Sequence, residues 1–163
     1  MFEKSVEELE ELGADITTLE IKQQPELWRD AFNIYKENLD AVEKFLADAR
    51  AMGEGRLSVV FTGAGTSDYV GDSCAPYLRH AGDTDLYDFK PIATTDIVSA
   101  PRDFLRADDP TLVVSFARSG NSPESLAAVQ VAKKFVKNVK FLSITCAPEG
   151  KLAVESADDP DAL

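Results

Sequence analysis

From residue 57 onward, short apolar runs alternate with segments whose apolar residues recur every three or four positions. The runs near 57–62, 89–94, 111–116 and 139–145 read as strands, and the segments near 67–80, 96–106 and 123–137 as helices. Apolar strands separated by helices predict a parallel sheet covered on both faces. The first 56 residues follow a different pattern. Glu3 to Leu12 make a short acidic helix stopped at Gly13, a small turn starts at Thr17 or Thr18, and Gln24-Pro25 opens a long helix closed by Gly53 and Gly55. That helix carries Trp28, Ala31, Phe32, Tyr35, Leu39, Val42, Leu46 and Ala49 in a stripe read as core, with a dimer face as the alternative for its three aromatics. The expected fold is therefore α/β: a three-layer αβα sandwich with a parallel, Rossmann-like sheet over 57–163, preceded by an N-terminal helical segment over 1–56.

Two strand ends carry the same device. Leu112 to Phe116 empties into Ala117-Arg118-Ser119-Gly120-Asn121-Ser122, after which Pro123 starts a helix with Ser122 as N-cap and Glu124 in the first turn. Leu57 to Phe61 likewise runs into Thr62-Gly63-Ala64-Gly65-Thr66-Ser67 ahead of a helix. The glycines let the backbone approach a ligand, while Thr66 and Ser67 offer hydroxyls and a cap. Unpaired amides at a helix N-terminus attract anions. Gly65, Thr66, Ser67, Arg118, Ser119, Gly120, Asn121 and Ser122 are thus the candidate ligands of a phosphate, beyond the strand carboxyl ends where such sheets bind ligands. Ser115, inside its strand, is expected to point into packing.

Other phosphate motifs fit poorly. Gly63-Ala64-Gly65 begins like the dinucleotide fingerprint, but Asp68 stands where its third glycine belongs, and neither loop is followed by the lysine of a P-loop. No cofactor is expected. Cys74 and Cys146 have no metal-ligand spacing and read as buried thiols, so no metal is expected either. His80 lies beside Arg79 at a helix carboxyl end, about 18 Å from the phosphate end, and reads as a cap.

The net charge of −12, from 29 acidic and 17 basic residues, argues against nucleic acid or an anionic membrane as partner. No apolar run approaches the length of about 20 that a membrane helix needs, and Phe2 to Glu8 lacks a secretory signal, so a cytoplasmic location is expected. The acidity does not preclude an anion ligand. Salt screens exposed charges beyond about 10 Å, whereas helix amides and Arg118 act at contact distance.

Gly63-Ala64-Gly65-Thr66-Ser67 and Ala117-Arg118-Ser119-Gly120-Asn121-Ser122 resemble the two signature loops of the sugar isomerase (SIS) family of phosphosugar-binding domains. Ile144-Thr145, followed by a loop and Leu152-Ala153, matches a third family feature, so the resemblance spans roughly 57–157. Within the family, Arg118, Ser125-Leu126-Ala127-Ala128 and Thr94 to Val98 look most like the AgaS group, which acts on galactosamine 6-phosphate or tagatose 6-phosphate. Ala117 departs from the serine of many relatives and removes one hydroxyl.

The resemblance implies the phosphosugar-binding half of an AgaS-like ketose/aldose isomerase or amino-sugar-phosphate deaminase, with a hexose or hexosamine 6-phosphate as ligand and a homo-oligomeric state. No acid and base pair for proton transfer is apparent, and Glu124 reads as a partner of its helix dipole. Relatives draw those groups from a second SIS domain or a partner subunit. Residues 156–163 read as the approach to a further strand, so the domain is expected to be truncated at its C-terminal end. The alternatives are a non-catalytic SIS module that senses a sugar phosphate, disfavoured by the lack of a basic helix before residue 57, and an α/β domain for another anion.

Overall fold

The structure, a computed structural model, describes residues 1–163, which divide into two compact units, 1–43 and 44–163. In the first unit Ser5 caps α1 (Val6–Glu11) through a capping box. Its Oγ accepts from the Glu8 amide at 3.2 Å, and its own amide donates to Glu8 Oε2 at 2.9 Å. Helix α2 then runs unbroken through Asp15–Glu37 with Pro25 inside it, so Gln24-Pro25 does not open a new helix. The break falls at Asn38, whose side-chain amide donates to the Ile34 carbonyl, and α3 (Leu39–Arg50) follows.

The aromatic stripe is not core. Trp28, Phe32 and Tyr35 are 66%, 61% and 51% exposed, and of the eight stripe residues only Ala49 is fully buried. Three-and-four spacing marks an apolar face of a helix, but it does not supply the surface that covers it.

The second unit holds β1 (Leu57–Thr62), β2 (Tyr87–Pro91), β3 (Thr111–Ala117) and β4 (Val139–Thr145), all parallel, in the order β2-β1-β3-β4. Strand β2 begins two residues earlier than its apolar run suggests, because Tyr87 and Phe89 alternate with Asp88 and Lys90 as an edge strand permits. Helix α4 (Thr66–Ala81) follows β1 and α7 (Pro123–Phe135) follows β3. The helix expected over 96–106 divides into α5 (Thr94–Ser99) and α6 (Pro101–Phe104). Ala100, placed before a proline, leaves the helical conformation at φ −141° and ψ 59°.

One face of the sheet packs Val60, Val113 and Phe141 against Ile97 of α5, Leu105, and Ala128 and Ala132 of α7. On the other, Val59, Phe61, Phe89, Leu112 and Val114 meet Ala49 of α3 and Ala75 of α4. Helices α4 and α7 therefore lie on opposite faces, and the chain leaves β1 for one side and returns to β3 on the other. This is the switch point at which doubly wound sheets open a crevice.

At the carboxyl end α8 (Lys151–Ala157) leads to Ala162, which forms a parallel bridge to Phe141. The Leu163 amide donates to the Phe141 carbonyl at 2.9 Å and the Ser143 amide to the Leu163 carbonyl at 2.8 Å, so the expected approach to a further strand does begin pairing outside β4. Of the two cysteines expected to be buried, Cys74 is half-buried and Cys146 is exposed, in the open turn after β4.

Candidate functional site

Both predicted loops open into one cavity of about 370 Å³. The first reaches it by a turn that needs two glycines. A Cβ on Gly63 would lie 2.5 Å from the Ser67 carbonyl carbon, so only glycine lets β1 pass against the first turn of α4. Gly65 takes φ +58°, a conformation that costs side-chain-bearing residues energy, although open space surrounds it. The Gly63 carbonyl is pinned from the far side by the amide of Thr94 at 3.0 Å and its hydroxyl at 3.1 Å.

Gly65 occupies the N-cap position of α4, and no side chain caps that helix. The cap expected of Thr66 or Ser67 is therefore absent, because the chain enters α4 one residue earlier and the turn closes through backbone bonds from Ser67 to Ala64 and from Asp68 to Gly65. Thr66 and Ser67 line the cavity with no side-chain bond to the protein.

The second loop is built from its own hydroxyls. Ser122 caps α7 as expected, accepting from the Ser125 amide at 3.3 Å, with Pro123 in the first turn. Its Oγ also donates to Ser125 Oγ at 2.7 Å. Ser119 Oγ accepts from the Asn121 amide at 3.3 Å. From the third loop, Thr145 Oγ1 donates to the Arg118 carbonyl at 3.4 Å and accepts from the Ala147 amide at 3.2 Å.

Six of the eight predicted residues line the cavity: Thr66, Ser67, Arg118, Ser119, Gly120 and Ser122. Gly65 shapes the turn behind it. Asn121 points elsewhere, its Oδ1 accepting from the Lys151 amide at 3.0 Å at the start of α8. Ser115 is 3% exposed within β3, as expected. Ser125, buried and lining the cavity, went unpredicted; its position three residues beyond the N-cap Ser122 is the available signal.

Arg118 is the only ionisable side chain lining the cavity, and it forms no ion pair. In the first turn of α4, burial raises the Asp68 carboxyl above its ordinary range, and the charges of Asp72 and Asp96 raise it further. No group of three or more His, Cys, Asp or Glu side chains is arranged to hold a metal ion, and no helix is long and apolar enough to cross a membrane.

A parallel sheet with its polar cavity at the switch point, walled by two strand-to-helix loops, defines a doubly wound α/β binding domain. The chain belongs to the SIS domain family, which matches residues 55–159. It is 42% identical over 154 residues to D-galactosamine-6-phosphate deaminase AgaS of Shewanella sp. (strain ANA-3), covering 94% of this chain and 39% of that protein. It is 38% identical over 150 residues to D-galactosamine-6-phosphate deaminase AgaS of Escherichia coli O157:H7, covering 90% and 37%. The crystal structure of tagatose-6-phosphate ketose/aldose isomerase from Escherichia coli superposes with a TM-score of 0.83 at 37% identity, covering 90% of this chain and 39% of that one. The chain thus spans about two fifths of the length of these relatives.

Proposed function

We propose that this chain is the phosphosugar-binding half of an AgaS-like sugar-phosphate ketose/aldose isomerase or amino-sugar-phosphate deaminase, and that its cavity holds the phosphate of a hexose or hexosamine 6-phosphate. The observation that carries the reading is the convergence of two helix N-termini, five hydroxyls, two of them free and three bonded within their loop, and one unpaired guanidinium on a single cavity. Amides of α4 and α7, with Thr66 and Ser67, suit the non-bridging oxygens of a phosphate, and Arg118 supplies the charge-assisted contact. The volume also leaves room for the sugar beyond the phosphate.

Moving a proton between adjacent sugar carbons needs a base and an acid. An arginine serves as neither near neutral pH, and the other lining residues do not titrate there. The proton-transfer groups are accordingly assigned to a second SIS domain or a partner subunit, with the cavity of this chain acting as the anchor that orients the substrate.

Calorimetry with matched sugars tests the reading. Galactosamine 6-phosphate or tagatose 6-phosphate should bind while galactosamine and tagatose do not. Equal affinity for free and phosphorylated sugar would remove the phosphate assignment, and turnover by this chain alone would show that a base and acid lie within it.

A further inference from the structure

The loop after β3 is gripped from behind by the segment that follows β4. The Cys146 amide donates to the Ala117 carbonyl at 3.3 Å, and the Leu152 amide to the Gly120 carbonyl at 3.0 Å. Thr145 Oγ1 donates to the Arg118 carbonyl, and the Lys151 amide donates to Asn121 Oδ1. Gly150 lies so near the Ser119 carbonyl that a Cβ there would stand 2.3 Å from its oxygen. Residues 145–152 thus meet each loop residue from Ala117 to Asn121 in turn.

On the loop's side every one of these contacts uses backbone except the last. Asn121 alone commits a side chain, and it commits it to a helix end. The N-cap of α8 is Gly150, which has no side chain with which to cap, so the first amides of that helix need acceptors from elsewhere. Gly120 supplies one with its carbonyl, and Asn121 Oδ1 supplies the other from 30 residues away. Asn121 and Lys151 are both exposed, so burial does not hold this junction together and the bond itself must.

The loop has a physical need for such a grip. It carries Gly120 at φ +65° and presents Arg118, Ser119 and Gly120 to the cavity. A loop that must be ordered on binding loses affinity to conformational entropy, whereas a loop already held gains affinity with no added contact.

We propose that Asn121 is a positioning residue of the phosphate site: its side chain caps α8 through the Lys151 amide and so locks the loop after β3 in its binding form, without itself meeting the ligand. This rests on the phosphate reading of the cavity given above.

The bond can be cut from either end. Lys151 holds the first position of α8, where proline is tolerated, and Gly150 before it is already extended at φ −65° and ψ 146°. Lys151→Pro removes the amide that Asn121 holds, while Lys151→Ala removes the same charge and keeps the amide. In calorimetry with galactosamine 6-phosphate, Asn121→Ala should bind about tenfold more weakly than the parent, and Lys151→Pro about tenfold more weakly than Lys151→Ala. The chain carrying both N121A and K151P should bind no more weakly than K151P alone, since the two changes remove one bond. Hydrogen exchange reads the junction without ligand: the Leu152 amide should exchange about tenfold faster in N121A than in the parent. Circular dichroism of each variant shows that it is folded. Parent-like affinity in N121A overturns the proposal. A loss in N121A that K151P does not reproduce, or losses that add in the double variant, would place Asn121 on the ligand and overturn it equally. So would parent-like exchange of the Leu152 amide in N121A. A parent chain that binds no sugar phosphate removes the phosphate reading instead, and the Leu152 exchange then decides alone whether Asn121 locks the loop to α8.

Discussion

The two loops that wall the cavity reach the same end by opposite means. The loop after β1 relies on backbone: Gly63 permits a contact no side chain tolerates, Gly65 takes a positive φ, and Thr66 and Ser67 stay unbonded. The loop after β3 relies on hydroxyls: Ser119 holds the Asn121 amide, Ser122 caps α7, and Ser125 closes the pair. A hydroxyl already committed to its own loop contributes shape first and ligand binding second. One that remains free contributes to the ligand directly.

The comparison is broken most severely at Gly63. Gly63→Ala forces a Cβ to within 2.5 Å of backbone that cannot swing aside, so the first turn of α4 must move. We expect a loss of about 1–3 kcal/mol in stability, as for an overpacked interior site, and about a hundredfold or more in phosphosugar affinity, read by thermal unfolding and calorimetry. Parent-like values on both would show that the first loop is not built on its backbone.

A smaller change separates free from committed hydroxyls. Ser67→Ala should weaken phosphosugar binding about tenfold or more with stability unchanged, since it removes only a bond to a charged ligand. Ser119→Ala should lose about as much affinity, but with a measurable drop in unfolding midpoint, because the Asn121 amide loses its acceptor as well. Ser115→Ala, inside β3, is the control and should stay within about threefold of the parent. If Ser115→Ala weakens binding and Ser119→Ala does not, the second loop faces the other way.

The second loop was the more legible in sequence, and the reason is local. A serine followed by proline and an acidic residue announces an N-cap from side chains alone, whereas the first loop declares itself through glycines whose conformations depend on what they pack against. Hence Ser122 caps α7 as its pattern predicts, whereas neither Thr66 nor Ser67 caps α4. The strands 57–62 and 139–145 could be read to the residue, because apolar runs between turn residues are self-contained signals. Helix α2 departs twice from what its sequence suggests. Pro25 reads as a start, yet the helix carries it internally, and the Trp28 stripe reads as core, yet it lies exposed. Periodicity reports that a face is apolar and leaves its partner unspecified. Asn121 was lost to a long-range bond with the Lys151 amide, 30 residues away, which no local pattern encodes.

Ser122→Ala tests the capping half of the comparison at smaller magnitude. Loss of an N-cap should cost about 1 kcal/mol of stability while affinity falls only about threefold, since Ser122 Oγ is already bonded to Ser125 on both counts. A tenfold loss of affinity with unchanged stability would move Ser122 into the group of free hydroxyls.

The smallest expected effect concerns the carboxylate in the first turn of α4. Asp68 sits in the first turn of α4, where burial, and then the charges of Asp72 and Asp96, raise its carboxyl above the ordinary value of 3.8. A raised folded value means the native state binds a proton the unfolded chain has already released. The stabilising effect of that proton is fully present below 3.8 and is lost as pH rises through the raised folded value, leaving an ionised, partly desolvated carboxylate at neutral pH. Asp68→Asn should therefore unfold at a slightly higher temperature than the parent at pH 7, with the gap closing as pH is lowered toward 4. It should also bind phosphosugar slightly more tightly at pH 7, because a negative charge beside the amides of α4 opposes the dianion. A variant less stable than the parent at pH 7, with the gap widening as pH rises, would show instead that the Asp68 carboxylate is a favourable partner of the α4 amides, and that the first loop satisfies its helix end with a side chain after all.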